Sequence, residues 1–201
     1  MIAPWRWCHG HRRRLLLGGV LAVMALAQWL GATEALQFDR HAIGAGEWWR
    51  LVSAHGVHLG PSHMLLNGAV LVVVMVLVGR ELTPGEWLAL GLVCGLTISI
   101  GIWLWQPETT RFAGLSGVLH GLIIAGAMRA LPRQRPLSGV ILALLAIKLG
   151  SEMLFGPTPG TANLADGPVL VESHLLGALA GLAWGSAHLL WQARSGLRTP
   201  G

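Results

Sequence analysis

Residues 114–122 read Gly-Leu-Ser-Gly-Val-Leu-His-Gly-Leu. Packing alone seldom calls for a hydroxyl and an imidazole one helical turn apart in an apolar run. A serine hydroxyl is a weak nucleophile until a base takes its proton. Ser116 is the candidate nucleophile, and His174, at the head of His-Leu-Leu-Gly-Ala-Leu-Ala-Gly (174–181), is the candidate base. The chemistry would be acyl transfer, which needs donors for a developing oxyanion. A helix that starts at Ser116 leaves backbone N–H groups unpaired around Gly114, Leu115, Ser116 and Gly117, and its dipole favours negative charge there. His63 and Asn67 stand four residues apart, so a helix puts them on one face as further donors, with His58 just upstream.

His120 also follows Ser116 by four residues; it is read as packing on His174 and orienting it rather than as the base. No acid obviously completes a triad. Glu172 lies nearest His174 in sequence, but residues two apart on a helix do not share a face. Lys148 and Glu152, four apart, are left over and can pair with each other. The reading is therefore a Ser116–His174 dyad. A metal centre from His58, His63, His120 and His174 is disfavoured: there is no His-Glu-x-x-His and no ligating carboxylate beside them. A transport path would continue to the inner side, whereas these polar groups gather near one end of their spans.

Such groups need elements to hold them. Of 201 residues, 53% are hydrophobic and only 11% charged, where a soluble domain carries about a quarter charged. Apolar blocks near the roughly 20 residues needed to cross a bilayer occur at 15–33, 63–79, 87–105, 115–131, 137–155 and 169–193. They predict an all-α membrane protein of six transmembrane helices, with Ser116 on the fourth and His174 on the sixth. No segment alternates as a barrel strand would. Residues 15–193 form the membrane domain, between a basic tail at 1–14 and a short tail at 194–201. Arg12–Arg14 before an apolar run suits a signal peptide, but the run is long and lacks a clean cleavage site, so it reads as a retained first helix.

With six spans both termini share a side. That side holds Arg6, Arg12, Arg13, Arg14, Arg80, Arg129, Arg133, Arg135, Arg194 and Arg198, against Arg40, Arg50 and Arg111 opposite. The termini are thus expected in the cytoplasm, and the basic pI near 11.0 reflects topology rather than nucleic-acid binding. Cys8 and Cys94 form no disulfide framework. Trp48 and Trp49 on the long first loop (34–62), with Trp29, Trp103 and Trp105, suit the outer interface, and Trp87 and Trp191 the inner one. Gly and Pro at 156–172 predict a flexible outer loop.

Depth also matches. Ser116 precedes Arg133 by about 17 residues and His174 precedes Arg194 by about 20, or roughly 26 Å and 30 Å of helix. Spans four and six run the same way, and Gly177 and Gly181 on one, with Gly117 and Gly121 on the other, let backbones approach closely.

Gly-Leu-Ser-Gly at 114–117, His-x-x-x-Asn at 63–67, Trp49–Arg50 and His-x-x-Gly-x-x-x-Gly at 174–181 together resemble the rhomboid family of intramembrane serine proteases. The resemblance implies a six-helix core around a water-filled cavity, Ser116 as nucleophile, His174 as base, and His63 and Asn67 with the Ser116 backbone as oxyanion partners. It implies that His58 is a supporting loop histidine and that Arg50 orders its loop. No cofactor and no metal are expected. Many rhomboids carry a tyrosine one turn after the serine; this chain has no tyrosine, and His120 stands there. Gly-Leu-Ser-Gly-x-Leu-His-Gly and the compact size look like the rhombosortase subgroup, whose members are thought to remove a Gly-Gly-containing C-terminal sorting tail from exported bacterial proteins. That implies a bacterial inner membrane, a site open to the periplasm, a substrate's transmembrane segment and lipid as partners, and hydrolysis or acyl transfer to an amine. The alternative is an inactive rhomboid-like chaperone that binds transmembrane clients.

Overall fold

A computed structural model describes residues 4–195; Arg198 and most of the 194–201 tail lie outside it. Six helices of 15 residues or more dominate the described chain: α1 (Pro4–Trp29), α2 (Pro61–Val78), α3 (Pro84–Trp105), α4 (Ser116–Ala130), α5 (Arg135–Phe155) and α6 (Val171–Ser195). Three of them, α2, α3 and α5, are long and apolar enough to cross a membrane by length and composition. Their ends follow local chemistry. Pro61 and Pro84 sit in first turns, where the missing N–H costs nothing. Thr83 and Glu86 cap α3 reciprocally, and Gly156, at φ +81°, ends α5. α1 starts well before the apolar run at 15–33, because Arg12–Arg14 are good helix formers and simply extend it.

α4 is the central rod. It packs on α6, α3, α2 and α5, and Gly117, Gly121, Ala125, Gly126 and Ala127 are buried along it. At 15 residues it is about 22 Å long, against about 33 Å for α3. Ala113–Leu115 lead from strand β2 into the helix, which begins at Ser116. Leu90, Ile98 and Ile102 of α3 pack with Val118, Leu119 and Leu122 of α4 in the core. The outward faces stay apolar: Val76, Ile147, Leu154 and Phe155 are all largely exposed. Exposed apolar surface on this scale needs lipid as its solvent.

The long loop before α2 is folded rather than draped. Its strand β1 (Phe38–Asp39) pairs antiparallel with β2 (Arg111–Phe112) just before α4. The Arg40 guanidinium donates to the carbonyls of Ile102, Trp103, Gln106 and Thr109, tying the first loop to the C-terminal end of α3 and the turn that follows it. Arg50 donates to the Glu34 and Gln37 carbonyls at 2.8 and 2.9 Å and pairs with Glu47. Trp48 and Trp49 stay exposed, but Trp87 is buried in the core, so it does not join an inner tryptophan belt. The predicted flexible loop at 156–172 instead includes a short helix (Thr161–Leu164), and Asp166 docks it on the head of α2.

Candidate active site

The Gly114 backbone sits at φ +131°, a region that favours glycine, and a Cβ there would lie 2.7 Å from the His63 ring. Its N–H donates to the Ala54 carbonyl at 3.0 Å. This turn delivers Ser116 to the first position of α4. Leu119 is the first residue of the helix whose N–H finds a partner, the Leu115 carbonyl; the earlier N–H groups remain available, as helix geometry requires.

His174 reaches Ser116 because α4 and α6 touch backbone to backbone. A Cβ on Gly117 would lie 2.6 Å from the Ser173 carbonyl oxygen, and one on Gly121 would lie 2.6 Å from that of Gly177. In return, a Cβ on Gly177 would collide with the Gly117 carbonyl, and one on Gly181 with the Gly121 carbonyl. Four glycines thus interlock the two helices. The result is a hydrogen bond of 3.0 Å between Ser116 Oγ and His174 Nε2, with His174 buried.

The His120 ring stacks on His174, centroids 4.5 Å apart and planes 21° from parallel. Its Nδ1 donates to the Ser116 carbonyl at 2.8 Å, which commits that nitrogen to the backbone rather than to the hydroxyl. Asn67 and His63 share the inward face of α2, and Asn67 Nδ2 donates to the His63 carbonyl at 3.0 Å, leaving its second N–H for another acceptor. Ser116, His120, His174, His63, Asn67 and Lys148 line one cavity of about 360 Å³ between α2 and α5. His58 lies under His63, rings perpendicular and 5.1 Å apart, and is fully buried with neither ring nitrogen hydrogen-bonded within the protein. Arg50 acts on its own loop. Among the described residues no three His, Cys, Asp or Glu side chains are arranged to hold a metal.

Two carboxylates stand where sequence reading did not put them. Glu152 does pair with Lys148, at 2.7 Å through Oε1, but its Oε2 lies 2.9 Å from His174 Nδ1. It is Glu152, not Glu172, that reaches the imidazole. One signal was available: Glu152 follows Arg135 by about 17 residues, the same depth as Ser116 above Arg133. Asp166, a non-glycine residue at φ +54°, accepts from the Ser62 hydroxyl and, at 3.3 Å, from the His63 N–H. The Ser62 hydrogen bond, with that of His63, holds its carboxyl below the usual range. Only Asp-Gly as a turn dipeptide hinted at this corner.

His55 is a further structural histidine. Its Nε2 lies 2.9 Å from the Gly95 carbonyl and 3.0 Å from Ser99 Oγ, pinning the first loop to α3. Burial pushes the His55 imidazole down to about 4; His58 falls to about 4 by burial and then by the neighbouring His63. Both are neutral in the folded loop, and their free values lie near 6.5. Protonation therefore favours the unfolded loop: its stability is full above about pH 6.5 and drains as pH falls toward about 4. Hydrogen exchange across residues 34–60 is expected to accelerate over that window, ahead of α3 and α4. Flat protection from pH 7 to 4 would contradict it.

Comparison with known proteins agrees with this architecture. A family model described as Rhomboid domain matches residues 45–190. The chain is 32% identical over 116 residues to "Rhomboid protease GluP" of Bacillus subtilis (strain 168), an alignment covering 56% of this chain and 22% of that protein. It is 29% identical over 80 residues to "Putative rhomboid protease YdcA" of the same organism, covering 40% of each. The chain thus matches less than half the length of either relative.

Proposed function

The chain belongs to the rhomboid family, and from that premise we propose that it is an intramembrane serine endopeptidase whose nucleophile is Ser116 and whose base is His174. As a family member with apolar helices it is a multi-pass membrane protein. The observation that carries the enzymatic reading is the 3.0 Å contact between Ser116 Oγ and His174 Nε2 inside a cavity. In the reaction the Ser116 O–H proton passes to His174 Nε2 as Oγ bonds to the scissile carbonyl carbon, whose π pair moves onto oxygen. The free N–H groups at the start of α4 and the spare Asn67 N–H receive that oxyanion. The C–N bond then breaks, and His174 returns the proton to the departing amine. Water, or an amine acceptor, releases the acyl group from Ser116.

All six long helices cross the membrane in this proposal, with both termini in the cytoplasm of a bacterial cell and the Ser116 end facing the periplasm. The arginine distribution supports that orientation. The substrate is a transmembrane segment that presents unwound backbone to the cavity. His120 in place of a tyrosine supports the narrower reading, a Gly-Gly-type C-terminal sorting tail, since glycines let a helix open and its backbone approach. Mass spectrometry of the mature C-terminus of a tailed protein expressed with the enzyme tests this. A new terminus within or beside the glycines, free or extended by an amine, is expected. Cleavage only at distant, glycine-free positions would sink the tail reading.

A further inference from the structure

A glutamate on a lipid-facing helix is costly unless its oxygens are satisfied. Glu152 is among the most buried polar residues of the chain, at 3% exposure, and each oxygen has a separate duty. Oε1 takes the Lys148 ammonium at 2.7 Å, and Oε2 faces His174 Nδ1 at 2.9 Å. The ammonium and carboxylate cancel, so a neutral imidazole meets a satisfied pair.

That geometry decides a tautomer. A neutral imidazole carries one N–H. An ionised carboxylate only accepts, so the proton must sit on Nδ1, which leaves the Nε2 lone pair aimed at Ser116 Oγ, 3.0 Å away. We propose that Glu152 is a positioning residue that fixes the tautomer and orientation of His174, with Lys148 as its counter-ion, so that the site works as a Ser116–His174–Glu152 triad. The proposal rests on the assignment of Ser116 and His174 above and departs from the dyad that the sequence suggests.

The charge bookkeeping closes. When Ser116 gives its proton to Nε2, the imidazolium that forms already donates from Nδ1 to Glu152, which stabilises the new charge without becoming protonated itself. The other groups facing His174 do not substitute. His120 on α4 stacks on the ring face and spends its Nδ1 on the Ser116 carbonyl. His63 on α2 lines the same cavity without a hydrogen bond to His174, its Nδ1 unpartnered. Lys148 on α5 reaches the imidazole only through Glu152. A purely structural alternative exists, a tether of α5 to α6, and the experiment separates it from positioning.

The test is saturable labelling of the full-length protein in detergent by a fluorophosphonate probe, with Ser116→Ala as reference. Glu152→Gln is expected to lower the maximal labelling rate by up to about 10⁴-fold, the loss that follows when an orienting carboxylate becomes its amide, with half-saturating probe concentration unchanged. Glu152→Asp restores part of the rate. Lys148→Met lowers it less, and Lys148→Met/Glu152→Gln labels no more slowly than Glu152→Gln alone, because the lysine acts through the glutamate. Unchanged labelling of Glu152→Gln would overturn the triad, as would equal loss in the Gln and Asp variants with a matching fall in melting temperature, which marks a tether. Failure of the protease reading looks different: wild type then takes up no probe that Ser116→Ala abolishes.

Discussion

Membranes carrying Ser116→Ala are expected to yield no cleaved product from a tailed substrate while holding as much enzyme as wild type. The substitution removes the proposed nucleophile, and deleting the nucleophile of a serine hydrolase costs roughly 10⁶-fold in kcat. The fold has little reason to notice. Ser116 Oγ makes one hydrogen bond, to His174, worth about 1 kcal/mol net, and alanine is a better helix former than serine. Immunodetection of the enzyme beside the substrate's size shift reads both halves of the expectation. Wild-type cleavage by Ser116→Ala would end the assignment, and with it any role for His174 as a base acting on that hydroxyl.

The second large effect comes from a residue with no chemistry. Gly177→Ala places a methyl group against the Gly117 carbonyl, and neither backbone can yield unless α6 moves off α4. Overpacking of this kind costs about 1–3 kcal/mol. The functional loss should be larger than the structural one, since a displacement of about 1 Å at a reacting pair can cost 10²-fold. A melting curve in detergent and a cleavage rate below saturation measure the two together. The control is Gly150→Ala on α5, where an added Cβ meets nothing within 4 Å and alanine favours the helix; it should melt no lower and cleave normally. Equal behaviour of the two variants would mean that the glycine contact does not set the Ser116–His174 distance.

These expectations rest on features that differ in how visible they are before folding. Apolar blocks locate the six long helices because hydropathy is a local property, and five of the six boundaries fall within a few residues of the expected spans. Only α1 runs well beyond its apolar run, since helix propensity does not stop where lipid does. Ser116, His174 and the glycines of α4 and α6 announce themselves because a polar group or a stripe of small residues in an apolar run is conspicuous. The first loop is harder to read: Arg40 looks like a topology signal, yet it caps α3.

By itself, then, the sequence determines which rods form and which of them carry the hydroxyl and the imidazole. Tertiary structure alone decides how each rod is rotated about its axis. The spacing of Lys148 and Glu152 puts both on one face of α5, but only the packing of α5 beside α6 turns that face so that the carboxylate meets His174 Nδ1 as well as the ammonium. Likewise only the return of residues 156–170 over α2 brings Asp166 to Ser62 and His63. Helical periodicity fixes neighbours three and four residues apart; contacts between rods depend on which ridges interlock, and that is settled by the whole bundle at once.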